Sequence, residues 1–175
     1  MFEFLFWFIL TLIVIFGFVV FRGAPYVPSH HSEVVKAFSQ DLYPVGENDV
    51  VVDVGSGDGI ILRLAAQSGA RSIGFELNPV LVLISRFLAR GKKNIKTVLA
   101  DFWLTDLPYD TTLVYAFTVT RDIDKMAKKL QNEATRLQRP LYFISYGTSI
   151  KNKTKLKQLG AHHLYRFEPL QTRKA

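Results

Sequence analysis

The stretch over residues 50–60, VVVDVGSGDGI, constrains the possible fold of the chain more than any other. In it, an apolar run that contains one acid is followed by glycines at alternate positions. The β-branched residues at 50–54 predict a strand buried on both faces of a parallel sheet. Glycine permits positive φ and lets backbone N–H groups approach a ligand closely. Residues 60–66 predict a helix that the turn opens, so those N–H groups would also lie at a helix N-terminus. The stretch therefore predicts a turn that binds a nucleotide-like cofactor.

The spacing of the glycines separates two cofactor classes. A dinucleotide fingerprint needs G-x-G-x-x-G, and its third glycine would fall at Ile60. A nucleotide-dependent oxidoreductase is therefore disfavoured, although it remains an alternative. The observed D-x-G-x-G-x-G pattern resembles the first motif of class I S-adenosylmethionine (SAM)-dependent methyltransferases. That resemblance implies SAM as the cofactor, and it implies these binding residues: Asp53, Gly55, Ser56, Gly57 and Gly59.

A second candidate position follows the next strand. Residues 71–75, RSIGF, predict a strand, and Glu76 lies at its end on the same edge of a parallel sheet. A carboxylate there could accept hydrogen bonds from both ribose hydroxyls, with a solvated acid at the strand end as the alternative. Leu77 and Asn78 join the predicted cofactor site. Pro79 suits the first turn of a helix whose apolar face runs over 80–89.

A third strand is predicted over 95–99, and Asp101 and Phe102 follow it. In the resembled methyltransferases, an acid after this strand meets the adenine amino group and its neighbours pack on the ring. The resemblance therefore implies that Asp101 and Phe102 bind the cofactor. A helix N-cap is the alternative role for Asp101.

Several motifs together narrow the resemblance. The chain resembles a membrane-anchored family of seven-β-strand methyltransferases, whose characterised eukaryotic members modify lysines in mitochondrial proteins, including the ATP synthase c subunit and the adenine nucleotide translocase. The resemblance implies a doubly wound, Rossmann-like α/β sheet of seven strands and protein-lysine N-methylation. It rests on these segments: APYVPS at 24–29, DVGSGDG at 53–59, GFELNP at 74–79, LVLISR at 81–86 and DFW at 101–103.

The N-terminal segment predicts a single membrane span. From Phe4 to Phe21 there are 18 residues without a charge, and at about 1.5 Å per residue they would cover about 27 Å of a bilayer core of about 30 Å. Glu3 is the only charge before Arg22, so the basic remainder places the catalytic domain in the cytoplasm. A cleaved signal peptide and a buried globular helix are the alternatives. We expect an anchor over 1–23, a Pro-containing linker and leading helix over 24–48, with the helix from Glu33 to about Leu42, and a SAM-binding domain over 49–175.

Composition limits the remaining chemistry. The chain has no cysteine, which excludes a thiol nucleophile, a disulfide and a cysteine-based metal site. We expect no metal, because adjacent His30 and His31 lack a partner at ligand spacing. The formal net charge is +7, and the densest basic cluster, at 151–157, predicts an exposed loop or short helix. A solvated face or contact with anionic lipid explains it better than nucleic acid, for which no binding module is present.

The second half predicts the rest of the sheet. Strands are expected over 112–117, 141–145 and 164–167, with a helix over 122–137. After the fourth strand, Phe117 and Thr118 replace the Asn/Asp-Pro-Pro-aromatic motif of many amino-group methyltransferases, which disfavours the nucleobase and glutamine subfamilies. Phe102, Phe117 and Tyr146 are candidate aromatic walls, while no residue stands out as a catalytic base.

These observations predict a membrane-anchored SAM-dependent methyltransferase, with a protein lysine at or in the membrane as the acceptor. A small molecule or a lipid is the alternative acceptor. A catalytically silent, SAM-binding membrane scaffold is the alternative from a non-enzymatic class. Methyl transfer from a sulfonium needs alignment and exclusion of water more than a covalent intermediate, so the lack of a catalytic triad does not argue against the enzyme.

Overall fold

The computed structural model describes residues 2–11 and 31–170. Residues 2–11 are helical (α1), and their side chains are exposed. The rest of the predicted span, 12–21, and the Pro-containing segment at 24–29 lie outside the described residues. Within 2–11 and 31–170, no helix has both the length and the apolar character needed to cross a bilayer.

One seven-stranded sheet organises residues 50–167. Its spatial order is β3-β2-β1-β4-β5-β7-β6, in which β1 to β5 run parallel while β7 is antiparallel to β5 and β6 is antiparallel to β7. The predicted doubly wound, seven-stranded sheet is confirmed. The strands are β1 (Val50–Val54), β2 (Arg71–Glu76), β3 (Ile95–Leu99), β4 (Leu113–Thr118), β5 (Leu141–Gly147), β6 (Lys157–Leu159) and β7 (His162–Phe167).

Helices cover both faces of the sheet, because the strands are apolar on both sides. On one face, α2 (His31–Ala37) and α3 (Ile60–Gln67) form a core with alternate residues of the central strands, and α4 (Pro79–Leu88) packs against β2 and β3. On the other face, α5 (Ile123–Leu137) buries Met126 and Leu130 in the second core. The first reversal of strand order lies between β1 and β4, where open α/β sheets place their ligands.

Two elements differ from the sequence-based expectation. The leading helix, predicted from Glu33 to about Leu42, ends at Ala37, and the Ser39 hydroxyl donates to the Lys36 carbonyl at 2.8 Å. Such a local side-chain bond competes with helix continuation. The lysine-rich segment is a mostly exposed loop over residues 151–156, as predicted, and only Lys157 belongs to the short strand β6, which the sequence did not predict. An edge strand tolerates lysine because one of its sides faces solvent.

Gly74 of β2 allows the turn after β1 to pack directly on the strand. A Cβ at this position would lie 2.6 Å from the Cβ of Ser56 and 2.7 Å from Cδ1 of Leu62. No side chain fits in that space without displacing the turn. The close approach of β2 to the glycine turn therefore depends on glycine at position 74.

We expect Gly74→Ala to lower the free energy of unfolding by about 1–3 kcal/mol, because overpacking forces neighbouring groups to move. Urea denaturation monitored by circular dichroism would measure the change. Gly46→Ala is the matched control, since a Cβ there would meet nothing within 4 Å. Equal stability of the two variants would contradict the packing argument.

Candidate functional site

The turn between β1 and α3 is built on positive φ angles. Gly55, Gly57 and Gly59 have φ of 72°, 54° and 80°, as the sequence predicted. The backbone N–H groups of Gly55 and Ser56 donate to the Phe75 carbonyl at 2.9 and 3.2 Å. The turn is therefore tied to the carboxyl end of β2, and α3 begins directly after it.

Glu76 connects the glycine turn to the start of α4. Its side chain is buried, Oε2 accepts from the Gly57 N–H at 2.9 Å, and Oε1 accepts from the Asn78 N–H at 2.7 Å. An ionised carboxylate offers about four acceptor positions, so each oxygen can accept one further hydrogen bond. The two backbone donors fix the orientation of the carboxylate and leave it able to accept from a ligand.

Ser56 contributes a polar atom that has no partner within the described ranges. Its side chain is 4 % exposed, and the buried Oγ makes no hydrogen bond there. Buried hydroxyls usually have a partner, so an unpaired one calls for an explanation. The side chain faces the sheet, because Ser56 Oγ is the first atom that a Cβ at Gly74 would meet.

Asp53 lies at the carboxyl end of β1 and is almost fully buried, with 3 % exposed. In the sheet register it is beside Gly74 and Tyr115. Burial, followed by the negative charges of Glu76 and Asp58, raises the pKa of the Asp53 carboxyl well above its ordinary value. Asp53 therefore retains its proton to higher pH than an exposed aspartate, and a protonated carboxyl can donate a hydrogen bond.

The remaining predicted residues have structural partners. The Asn78 side chain accepts from the Val80 N–H at 2.9 Å and caps α4, while Asp101 accepts from the Trp103 N–H at 2.9 Å and caps the short 3-10 helix Phe102–Leu104. The N-cap alternative for Asp101 is thus the role that the structure shows.

Phe102 is buried in the α5-side core, with its ring centroid 6.4 Å from that of Phe75. Leu77 is half-buried beside Glu76.

The tertiary fold brings these ten positions to one edge. They follow β1, β2 and β3, which are neighbours in the sheet and run parallel, so their carboxyl ends lie side by side. The sequence placed each residue at a strand end, and the sheet order makes the three strand ends adjacent. Among the residues described, no cluster of three histidine, aspartate or glutamate side chains is arranged to hold a metal ion.

A polar aromatic cluster at β4, β5 and β7 was missed by the sequence reasoning. The Nε2 atom of His162 lies 3.1 Å from the Tyr115 hydroxyl, and the His162 ring stacks on Tyr146 at 4.6 Å. The Tyr146 hydroxyl donates to Glu33 of α2 at 3.2 Å. Burial lowers the pKa of His162, although the charge of Glu33 opposes this effect. No local motif marks these residues, because they meet only through the pairing of β5 with β7.

Hydroxyl groups join the ends of β4 and β5 next to this cluster. The Thr118 and Ser145 hydroxyls are hydrogen-bonded, and the Thr148 N–H donates to Thr118 Oγ1 at 3.3 Å. Phe117 and Tyr146, two of the predicted aromatic walls, lie here with ring centroids 5.8 Å apart. Their exposed edges are at the carboxyl ends of β4 and β5, on the other side of β1 from Glu76.

The sheet order and the glycine turn define the fold of SAM-dependent methyltransferases. The structure of an RNA methyltransferase from Salinibacter ruber in complex with S-adenosyl-L-homocysteine superposes with a TM-score of 0.70. It is 24 % identical in sequence, and the match covers 85 % of this chain and 98 % of that one. This likeness shows the fold.

A family model assigns the chain to a family, which the likeness of fold alone does not do. The model for the ANTKMT methyltransferase domain matches residues 53–153, and the chain belongs to this family. All ten predicted cofactor residues lie within the matched range. The predicted enzyme class, a methyltransferase, is confirmed, and the expected cofactor, SAM, is the one that these findings support.

Curated relatives carry the same domain. A Xenopus laevis protein, named as a lysine N-methyltransferase of the ATP synthase c subunit, is 35 % identical over 112 residues, covering 62 % of this chain and 48 % of that protein. The protein of the same name from Rattus norvegicus is 33 % identical over 113 residues, covering 62 % and 50 %. This chain therefore matches about half the length of these relatives.

We expect the stability of the wild type to fall relative to Asp53→Asn as pH rises from about 4 to neutrality. The unfolded chain releases this proton near the ordinary pKa, whereas the folded protein retains it, so raising the pH favours unfolding. Urea denaturation across the pH range would measure the difference. Asp110→Asn, whose carboxyl is exposed beside Arg71, is the control. Parallel pH curves for wild type and Asp53→Asn would contradict the raised pKa.

Proposed function

We propose that the protein is a membrane-anchored SAM-dependent methyltransferase that modifies a lysine of a membrane or membrane-associated protein. The observation that carries the proposal is the buried Glu76 carboxylate, held by Gly57 and Asn78 N–H groups beside the glycine turn. Membership of the ANTKMT methyltransferase domain family supports the reaction class. The lysine acceptor is supported by the names of the relatives, which are lysine N-methyltransferases.

In this proposal, the cofactor binds at the carboxyl ends of β1, β2 and β3, which we call the cofactor edge. Glu76 accepts hydrogen bonds from the ribose, and the turn formed by the positive-φ glycines and Ser56 binds polar groups of the cofactor. Asp53, Leu77, Asn78, Asp101 and Phe102 complete the predicted contacts. When bound, SAM supplies a methyl group that is already activated by its sulfonium, so the chain must mainly position the two reactants and exclude water.

The acceptor side is proposed at the carboxyl ends of β4 and β5. Phe117 and Tyr146 would form apolar walls around a lysine side chain, and apolar surroundings favour the neutral amine that the reaction requires. The Tyr146 hydroxyl is bonded to the Glu33 carboxylate, which places a negative charge near the expected entrance. A cationic lysine would be attracted to that charge before it loses its proton.

Membrane attachment is proposed through residues 4–21. The support is the run of 18 residues without charge and the exposed apolar side chains of α1. With Glu3 before the run and the basic domain after it, the proposed topology is single-pass with a cytoplasmic catalytic domain. A target lysine close to the bilayer would then be within reach of the tethered domain.

We expect Glu76→Gln to weaken binding of S-adenosylhomocysteine by about 10–100-fold, because a charged acceptor contributes about 1.5–3 kcal/mol. Isothermal titration calorimetry would measure the dissociation constant, and circular dichroism would confirm that the variant is folded. Glu168→Gln is the control, since its exposed carboxylate pairs with Arg166 at the surface. Equal affinities of the wild type and Glu76→Gln would remove Glu76 from the cofactor site.

We expect the purified full-length protein to transfer labelled methyl from SAM to a protein band in membranes from a strain that lacks it. The label should be lost with Glu76→Ala, and mass spectrometry should locate it on a lysine. Label on a lipid or a soluble metabolite would contradict the protein acceptor. No label anywhere, despite measured SAM binding, would favour the silent scaffold.

A further inference from the structure

Helix α4 carries apolar residues on its outward face as well as on its inward face. Val82 and Ser85 are buried against the sheet, where Ser85 Oγ bonds Thr97 Oγ1 of β3 at 2.7 Å. The outward residues repeat at helical spacing, and Leu83 and Phe87 are 65 % and 68 % exposed. We call this surface the α4 stripe: Val80, Leu83, Ile84, Phe87 and Leu88.

The α4 stripe is unusual for the surface of a folded domain. A helix on a soluble surface normally carries polar residues on its outer side, and contiguous apolar patches mark interaction sites. Scattered exposed leucines need no explanation, but five apolar residues along one line of a ten-residue helix do. The α4 stripe therefore requires an apolar environment that the described residues do not supply.

The charged residues of α4 and of the segment that follows it all have the same sign. The sequence from 77 to 100 contains no aspartate or glutamate, and all of its cationic side chains are exposed. The Arg86 guanidinium bonds the Thr97 carbonyl at 2.9 and 3.0 Å, and Arg90 lies over the Phe87 ring at 5.5 Å. We call the cations of α4 and the turn that follows it the basic rim: Arg86, Arg90, Lys92 and Lys93.

We infer that the α4 stripe and the basic rim dock the domain on an anionic lipid surface. Apolar residues on one helical face and cations beside them are the features by which helices bind at membrane interfaces. This inference rests on the membrane attachment in the proposed function, but not on its acceptor. It concerns a second contact with the bilayer, made by the folded domain itself.

Other occupants fit the stripe less well. A second copy of the chain would bring its own basic rim against this one, and like charges oppose such contacts. Residues 12–30 of the chain itself are apolar or polar and include only one charge, Arg22, so they offer no acid to the rim. Anionic headgroups above an apolar layer match both parts of the surface.

Docking through α4 would orient the site. Helix α4 begins at Pro79, just after Glu76, so Val80 of the stripe lies at the cofactor edge. Leu88, at the other end of the helix, lies towards the opposite edge of the sheet. The cofactor edge would then lie along the bilayer surface. An acceptor lysine near the headgroups would reach the site without the domain leaving the membrane.

The test uses the 175-residue chain with one introduced cysteine, which is unique because this sequence has none. Leu83→Cys places an environment-sensitive fluorophore on the stripe, and Lys128→Cys places it on the exposed side of α5. Each protein is measured alone, with phosphatidylcholine vesicles, and with vesicles containing about one third phosphatidylglycerol. Vesicle flotation reports membrane attachment separately from the fluorescence.

We expect a blue shift for the label at 83 with anionic vesicles only, and none at 128. The double variant Lys92→Glu, Lys93→Glu should remove most of that shift, while flotation through the N-terminal segment persists.

If the chain floats but the label at 83 stays in water, the docking inference is wrong while the anchor stands. A shift without vesicles would show that protein covers the stripe, and equal shifts with both vesicles would remove the role of charge. Either result overturns the inference.

Discussion

The hydrogen bonds from the Gly57 and Asn78 N–H groups to the Glu76 carboxylate hold the candidate site together. They join three segments of the chain: the glycine turn, the end of β2 and the start of α4. A buried carboxylate is costly unless its oxygens are satisfied, and here two backbone donors satisfy them in part. The same contact requires close packing of the turn on β2, which Gly74 permits because it lacks a side chain. The arrangement of the cofactor edge depends on this junction.

The other half of the sheet depends on a different contact. Strand β7 returns antiparallel beside β5 and brings His162 against Tyr115 and Tyr146. Because Tyr146 also bonds Glu33, this cluster connects the leading helix to the carboxyl ends of β4 and β5, where the acceptor is proposed. Helix α4 links the cofactor site to the proposed membrane contact, since it begins at Pro79, just after Glu76, and exposes an apolar stripe along its length. Cofactor binding and the orientation of the domain at a bilayer would thus both depend on helix α4.

Much of the fold was predictable because it follows local patterns. The β-branched run gave β1 its observed bounds, Val50–Val54, and the predicted helices at 60–66 and 122–137 differ by one residue at an end from α3 and α5. Strand β6 was missed because it is three residues long and follows a lysine-rich loop, and only pairing with β7 makes it a strand. The leading helix ended early because the Ser39 hydroxyl bonds the Lys36 carbonyl there.

The sequence alone determined that the turn at 55–59 takes positive φ, that Glu76 ends a strand, and that the chain carries a methyltransferase motif. These are local properties, since they depend on residue types and spacing within a few positions. The tertiary structure decided the rest: that Asp53 is buried enough to raise its pKa, and that Tyr115, Tyr146 and His162 meet. It also decided which face of α4 is outward. Burial and long-range pairing arise only when distant strands form one sheet, so no local pattern can specify them.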